Sequence, residues 1–222
     1  MSVKPVIAVV GGTGSLGSGL ARLWTQAGYQ VVIGSRSKEK AEAVARELGG
    51  GTGTVRGDDN RGAARAGDIV VLSVPYSSHD AIVDEIKADV AGKIVVDATV
   101  PLVPPKVAVV QLPAAGSPAV VAQRVLGPEA RVVSAFHNVG AKKFQGGEKA
   151  DCDVLVFGDD PAARDQIIEL AGVVATRGID GGSLANSVAA EALTSVLIAI
   201  NRRYKVAGAG IRITGLPSPQ GG

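Results

Sequence analysis

At 222 residues, 46% hydrophobic and 20% charged, the chain can bury a core of its own, as one large domain or one domain with a small cap. A formal net charge of +2 excludes a broad nucleic-acid footprint, so any anion site must be local. A single cysteine excludes an internal disulfide framework, and 3% aromatics leave little for an aromatic-lined recognition surface.

The first residues, MSVKPVIAVVGG, run from a short apolar stretch straight into glycines and lack a signal-peptide layout. Apolar runs of strand length then recur at Val6–Val10, Gln30–Gly34, Asp68–Val74, Lys93–Ala98, Arg131–Ala135 and Asp153–Phe157. Stretches of helical length separate them: Leu16–Ala27, Lys38–Leu48, His79–Asp89, Ser117–Leu126 and Pro161–Ala171. Near-continuous apolar strands alternating with helices predict a parallel sheet covered on both faces. In GDDPAARDQII an acidic N-cap precedes Pro161 at the first helical turn. GGGTG, residues 49–53, reads as a flexible loop.

The last third changes character. After a short strand candidate at Val173–Thr176, Ser183–Tyr204 has a long helical pattern that is apolar nearly all round. Such a helix is buried, against the sheet or against a second subunit. Its core, Leu184–Ile200, is interrupted by Asn186 and Glu191 and reads as too short to span a bilayer. GIRITGLPSPQGG offers a short strand-like piece and a Pro/Gly tail. We expect an α/β, Rossmann-type, doubly wound and mainly parallel sheet with a small helical C-terminal part. The dinucleotide-binding part spans residues 1–150, and the smaller part spans 151–222. The protein reads as soluble and cytoplasmic, with no membrane or nucleic-acid partner.

The strongest local motif is VIAVVGGTGSLGSGLARLW. A strand runs into Gly12-x-Gly14-x-x-Gly17, which opens a helix. One glycine makes the tight turn, one lets the backbone approach a pyrophosphate, and one permits close helix–strand packing. Amide N–H groups and the helix dipole then face the anion. An acid at the end of the next strand would bind ribose hydroxyls and repel a 2′-phosphate. The chain has Ser35 and Arg36 there, followed by Lys38 and Lys40. A guanidinium and an ammonium beside a hydroxyl suit a phosphomonoester, so the expected cofactor is NADP rather than NAD. Thr13 could add a further hydroxyl donor.

GGTGSLG, VVIGSRSKEKAEA, DIVVLSVPY, VVSAFHNVGAKKF, VFGDD and GSLANSVAAEALTSVLIAIN occur in that order. Together they resemble NADPH-dependent coenzyme F420 reductases, over Val6 to about Leu216; Val103–Ser117 lies outside the match. The resemblance implies hydride transfer between NADP(H) and an 8-hydroxy-5-deazaflavin; separately, the smaller C-terminal part is expected to close the cleft or to form a homodimer interface. It implies that Thr13, Gly14, Ser15 and Leu16 wrap the phosphates, and that Ser35, Arg36 and Lys40 hold the 2′-phosphate. Val74, Pro75, Val100 and Ala141 would lie along the nicotinamide, and His137 and Val139 would face the deazaflavin.

Read from its surroundings alone, His137 is either a structural histidine or a contact to the hydride acceptor. His79, at a helix start, reads as a solvated cap, Cys152 as a small core residue, and Asp151 and Asp153 as alternation on a strand edge. No Cys/His cluster has metal spacing in the sequence. Two other functions remain open: an NADPH-dependent reductase of a flavin, ferric ion, carbonyl or imine, and a non-catalytic NADPH-sensing module.

Overall fold

The computed structural model describes residues 4–49, 54–144 and 146–217. One eight-stranded sheet runs through it in the order β3-β2-β1-β4-β5-β6-β7-β8. The strands are β1 (Ile7–Val10), β2 (Val31–Ser35), β3 (Val55–Asp59), β4 (Ile69–Leu72), β5 (Ile94–Asp97), β6 (Arg131–Ser134), β7 (Ala150–Gly158) and β8 (Ala175–Asp180). All pairs are parallel except β6 with β7. Helices connect the strands: α1 (Ser15–Gln26), α2 (Lys38–Gly49), α3 (Asn60–Ala66), α4 (His79–Ile86), α5 (Pro118–Leu126), α6 (Ala141–Phe144), α7 (Pro161–Val174) and α8 (Ser187–Tyr204).

The apolar strands bury both faces because their side chains alternate between two cores. Ile7, Val9, Ile33, Val71 and Val96 meet Leu20 and Trp24 of α1, Ala41 of α2 and Ile167 of α7. Ala8, Val10, Val70, Leu72 and Val95 meet Ala63 of α3, Val83 of α4 and Ala122 of α5. The strand order reverses between β1 and β4, and that reversal opens a crevice at the strands' carboxyl ends.

Several elements differ from expectation. The strand β3 and helix α3 carry no apolar run: VRGDD is an edge strand paired only with β2, so it needs no second hydrophobic neighbour. The strand-like piece near Ile211 is not a strand; it is tied to β7 by Asp153 N–H donating to Ile211 O at 2.8 Å. Asp153 is not an edge position either. It is fully buried, and Arg177 holds its carboxylate at 3.0 Å. Cys152 is buried as expected. Of the expected 49–53 loop, Gly49 ends α2, while 50–53 lie outside the described residues, as does the end of the Pro/Gly tail, 218–222.

The long C-terminal helix is buried on one face only. Ala190, Glu191, Ser195 and Leu197 point inward, whereas Val196, Ile200 and Tyr204 are exposed. Leu184–Tyr204, with mean hydropathy 1.4, does reach the length and apolarity that could cross a membrane, contrary to the shorter reading. Its inner face is nevertheless docked: Ser117 Oγ, at the start of α5, donates to Glu191 Oε1 at 2.7 Å.

Candidate functional site

The turn after β1 sits at the reversal point. Gly11 has φ +74°, a conformation L side chains rarely adopt, and a Cβ there would meet Ser73 O at 2.5 Å. Gly12 and Gly17 are fixed by packing: a Cβ on Gly12 would lie 2.7 Å from Val9 O, and one on Gly17 would lie 2.8 Å from Gly12 Cα. Gly14 is different. It is exposed, its φ is −77°, and the nearest atom to an added Cβ is Gly11 O at 3.5 Å. Nothing in the chain itself demands glycine at that position, so the empty space suits a molecule approaching from outside. No side chain caps α1. Its first N–H groups are therefore free for an anion, reinforced by the positive end of the helix dipole.

A cleft of about 320 Å³ opens above this turn. Gly11, Thr13 and Gly14 form its floor, with Ser35, Arg36 and Lys40 on one side and Val74 and Pro75 on the other. The arrangement of cations explains why only two remain available. Lys38 Nζ is bound to Asp58 of β3 at 3.0 Å, and that hydrogen bond raises its pKa although solvent surrounds the ammonium. The hydrogen bond from Lys38 holds the Asp58 carboxyl below the usual range, outweighing its partial burial. Neither the Arg36 guanidinium nor the Lys40 ammonium has a partner among the described residues. Glu39, the nearest acid in sequence, is turned to Ser37, whose hydroxyl donates to it at 2.8 Å. Two uncommitted cations, exposed Thr13 and the Ser35 hydroxyl thus face one space, and this donor set fits a phosphomonoester. Ser37, Asn60, Ser73, Ser78 and Ile82 complete the lining; none of them is a site candidate in the sequence reading.

The remaining candidates lie outside that lining. Ser15 is exposed and Leu16 half-buried at the start of α1. Val100 is half-buried beyond β5, and Ala141 is half-buried at the start of α6. His137 and Val139, beyond β6, are 4% and 9% exposed. The loop holding them is tightly made. Phe136 has φ 69°, a strain of about 1–2 kcal/mol for a non-glycine residue, and it packs edge-on against Trp24 with ring centroids 5.8 Å apart. Asn138 Nδ2 donates to Asp153 O at 2.7 Å, and Thr194 Oγ1 of α8 donates to His137 O at 2.8 Å. The His137 ring has Nε2 3.2 Å from Ser134 Oγ, and its Nδ1 has no hydrogen-bond partner among the described residues. Burial pushes His137 down to about 4, against the opposing charge of Asp97, so its imidazole is neutral near pH 7.

His79 overturns its reading as a solvated cap. It is wholly buried, with Nε2 2.7 Å from Asp97 Oδ2 and Nδ1 2.8 Å from Asp80 Oδ1. Burial opposes the charged form, but the hydrogen bond and charge of Asp97, then those of Asp80, raise its pKa to about 9. Asp97 Oδ1 also accepts from Thr99 N–H at 2.9 Å. A sequence reading misses the pair because His79 begins a helix and Asp97 ends a strand, and neither local pattern requires a partner.

Residues 6–101 match the family described as NADP oxidoreductase, coenzyme F420-dependent. The F420-dependent NADP reductase of Methanocaldococcus jannaschii is 41% identical over 221 residues, 95% of this chain and 98% of that protein. The chain belongs to this family. The F420-dependent NADP reductase of Methanothermobacter thermautotrophicus is 39% identical over 225 residues, 96% of this chain and 97% of that protein. A solved structure from Arthrobacter sp. FB24, assigned as an F420-dependent NADP-reductase, shares the fold with a TM-score of 0.79. It is 26% identical, and the match covers 95% of this chain and 100% of that one. The family match on residues 6–101 holds the whole cation pocket, and the full-length relatives extend the likeness through α8.

Proposed function

We propose that the protein is an oxidoreductase that moves a hydride between NADP(H) and coenzyme F420. The observation that carries the NADP half is the unpaired Arg36 and Lys40 beside Ser35 and Thr13, at the place where an NAD site would hold an acid. Membership of the family carries the F420 half.

In this reading Gly12, Thr13, Gly14, Ser15, Leu16 and Gly17 wrap the pyrophosphate with backbone N–H groups. Ser35, Arg36 and Lys40 hold the 2′-phosphate. Val74 and Pro75 guide the nicotinamide half past β4, and Val100 and Ala141 bound it, leaving His137 and Val139 on the deazaflavin side. Hydride transfer between two rings asks little acid–base chemistry of the protein. It needs the donor and acceptor carbons near van der Waals contact and water excluded. The apolar Val74, Val100, Val139 and Ala141 suit that task. The deazaflavin takes a hydride at one ring carbon and a proton at a ring nitrogen. A neutral His137 is suited to contact rather than to donating that proton.

We further read the enzyme as a cytoplasmic homodimer, with residues 1–150 binding NADP and 151–222 closing the cleft or meeting the partner. The exposed Val196, Ile200 and Tyr204, four residues apart on α8, form an apolar stripe suited to a second copy. Sedimentation of wild type and Ile200→Glu checks this: the dimer should become a monomer in the variant.

Mixing the protein with NADPH and oxidised F420 tests the reaction. Bleaching of the deazaflavin absorbance with matching loss of NADPH is expected. No bleaching of F420, with bleaching of a flavin instead, would favour a reductase of another acceptor.

A further inference from the structure

We propose that Asn60 reads the adenine ring of the dinucleotide, an inference that rests on the cofactor orientation proposed above. Asn60 is the first residue of α3, at the carboxyl end of β3, and lines the cleft with Ser35, Arg36 and Ile82. It is 2% exposed. It does not cap its helix, because Asp59 does, accepting from Gly62 N–H at 2.6 Å. Its Oδ1 has no hydrogen-bond partner, and its Nδ2 makes no hydrogen bond among the described residues. A buried carboxamide oxygen without a partner is costly to the fold, and native proteins rarely keep one without a use.

The chemistry of the cleft narrows that use. Arg36, Lys40 and Thr13 already supply donors for a phosphate, and a phosphate dianion has no proton to offer Oδ1. Adenine presents an amine donor at N6 beside an acceptor at N7, the pair of groups a carboxamide matches with two hydrogen bonds. Ile82, which lines the same cleft, offers apolar surface to the ring. Gly34 lets the base of the site come close: a Cβ there would lie 3.4 Å from Asn60 Cα and 2.9 Å from Ala63 Cβ.

The test is calorimetric titration with adenosine 2′,5′-bisphosphate and inosine 2′,5′-bisphosphate, which differ at the six-position group and the adjoining ring nitrogen. Wild type should bind the adenine compound at least ~10-fold more tightly. Asn60→Ala, or Asn60→Ser if the alanine variant does not fold, should bind both at the weaker level. Arg36→Ala should weaken both and keep their ratio. Equal binding by wild type, or a preference that survives in both Asn60 variants, overturns the role of Asn60 and leaves the cofactor orientation standing. Failure of wild type to bind either bisphosphate overturns both.

Discussion

His79 and Asp97 meet from different elements with neither side chain exposed, Nε2 to Oδ2 at 2.7 Å. The pair joins the first residue of α4, just after the cleft-lining Val74, Pro75 and Ser78, to the last residue of β5. Because the folded pKa of His79, about 9, lies above the ordinary histidine value of 6.5, its stabilisation is complete below about pH 6.5 and is lost as pH rises through about 9. Asp97→Asn should therefore cost on the order of 3 kcal/mol at neutral pH and remove most of that pH dependence. Thermal unfolding of both proteins from about pH 6 to about pH 10 checks it; parallel curves would show that the pair contributes nothing.

The cation pair makes a separate prediction. Arg36→Ala and Lys40→Ala should each weaken NADPH by about 10- to 100-fold, the range for hydrogen bonds to a charged group. NADH binding should change little. Fluorescence titration with both nucleotides decides, and an equal loss for both would remove the 2′-phosphate from Arg36.

Gly12 and Gly14 should respond oppositely to alanine. Gly14→Ala has room and an ordinary φ, so the fold should keep its stability within about 0.5 kcal/mol while dinucleotide affinity falls. Gly12→Ala pushes a methyl against Val9 O at 2.7 Å and should destabilise the protein itself. Melting curves and NADPH titration on the two variants separate a glycine kept for a ligand from one kept for packing.

Glu191 is the acidic counterpart of His79. Burial raises its pKa to about 7 against the hydrogen bond from Ser117, and Oε2 has no hydrogen-bond partner among the described residues. Its contribution is present below the ordinary glutamate value of 4.5 and lost as pH rises through about 7. Glu191→Gln should narrow the stability difference between about pH 5 and about pH 8 by on the order of 3 kcal/mol. A variant whose difference matches wild type would mean that Glu191 does not titrate in this range.

The five inner parallel strands and the glycine turn were legible because each is written locally, as an apolar run or as spaced glycines. The edge strand β3 was not, since an edge carrying Arg56, Asp58 and Asp59 needs only β2 beside it. Arg36 and Lys40 could be read as candidate phosphate ligands. That Lys38 would be taken by Asp58 could not, because the partner sits on that unseen strand. Asn60, His79–Asp97 and Ser117–Glu191 share this property: each is defined by what lies across the fold, and no spacing rule reports it.

Trp24 is the chain's single tryptophan, fully buried. Its indole N–H is fixed on Leu170 O at 3.2 Å and its ring lies against Phe136, the neighbour of His137. The protein thus carries a built-in lamp beside the loop proposed to face the hydride acceptor. Its emission colour should register any shift of Phe136, and energy transfer to a bound dihydronicotinamide should dim it, so occupancy and loop movement can be followed without attaching a dye.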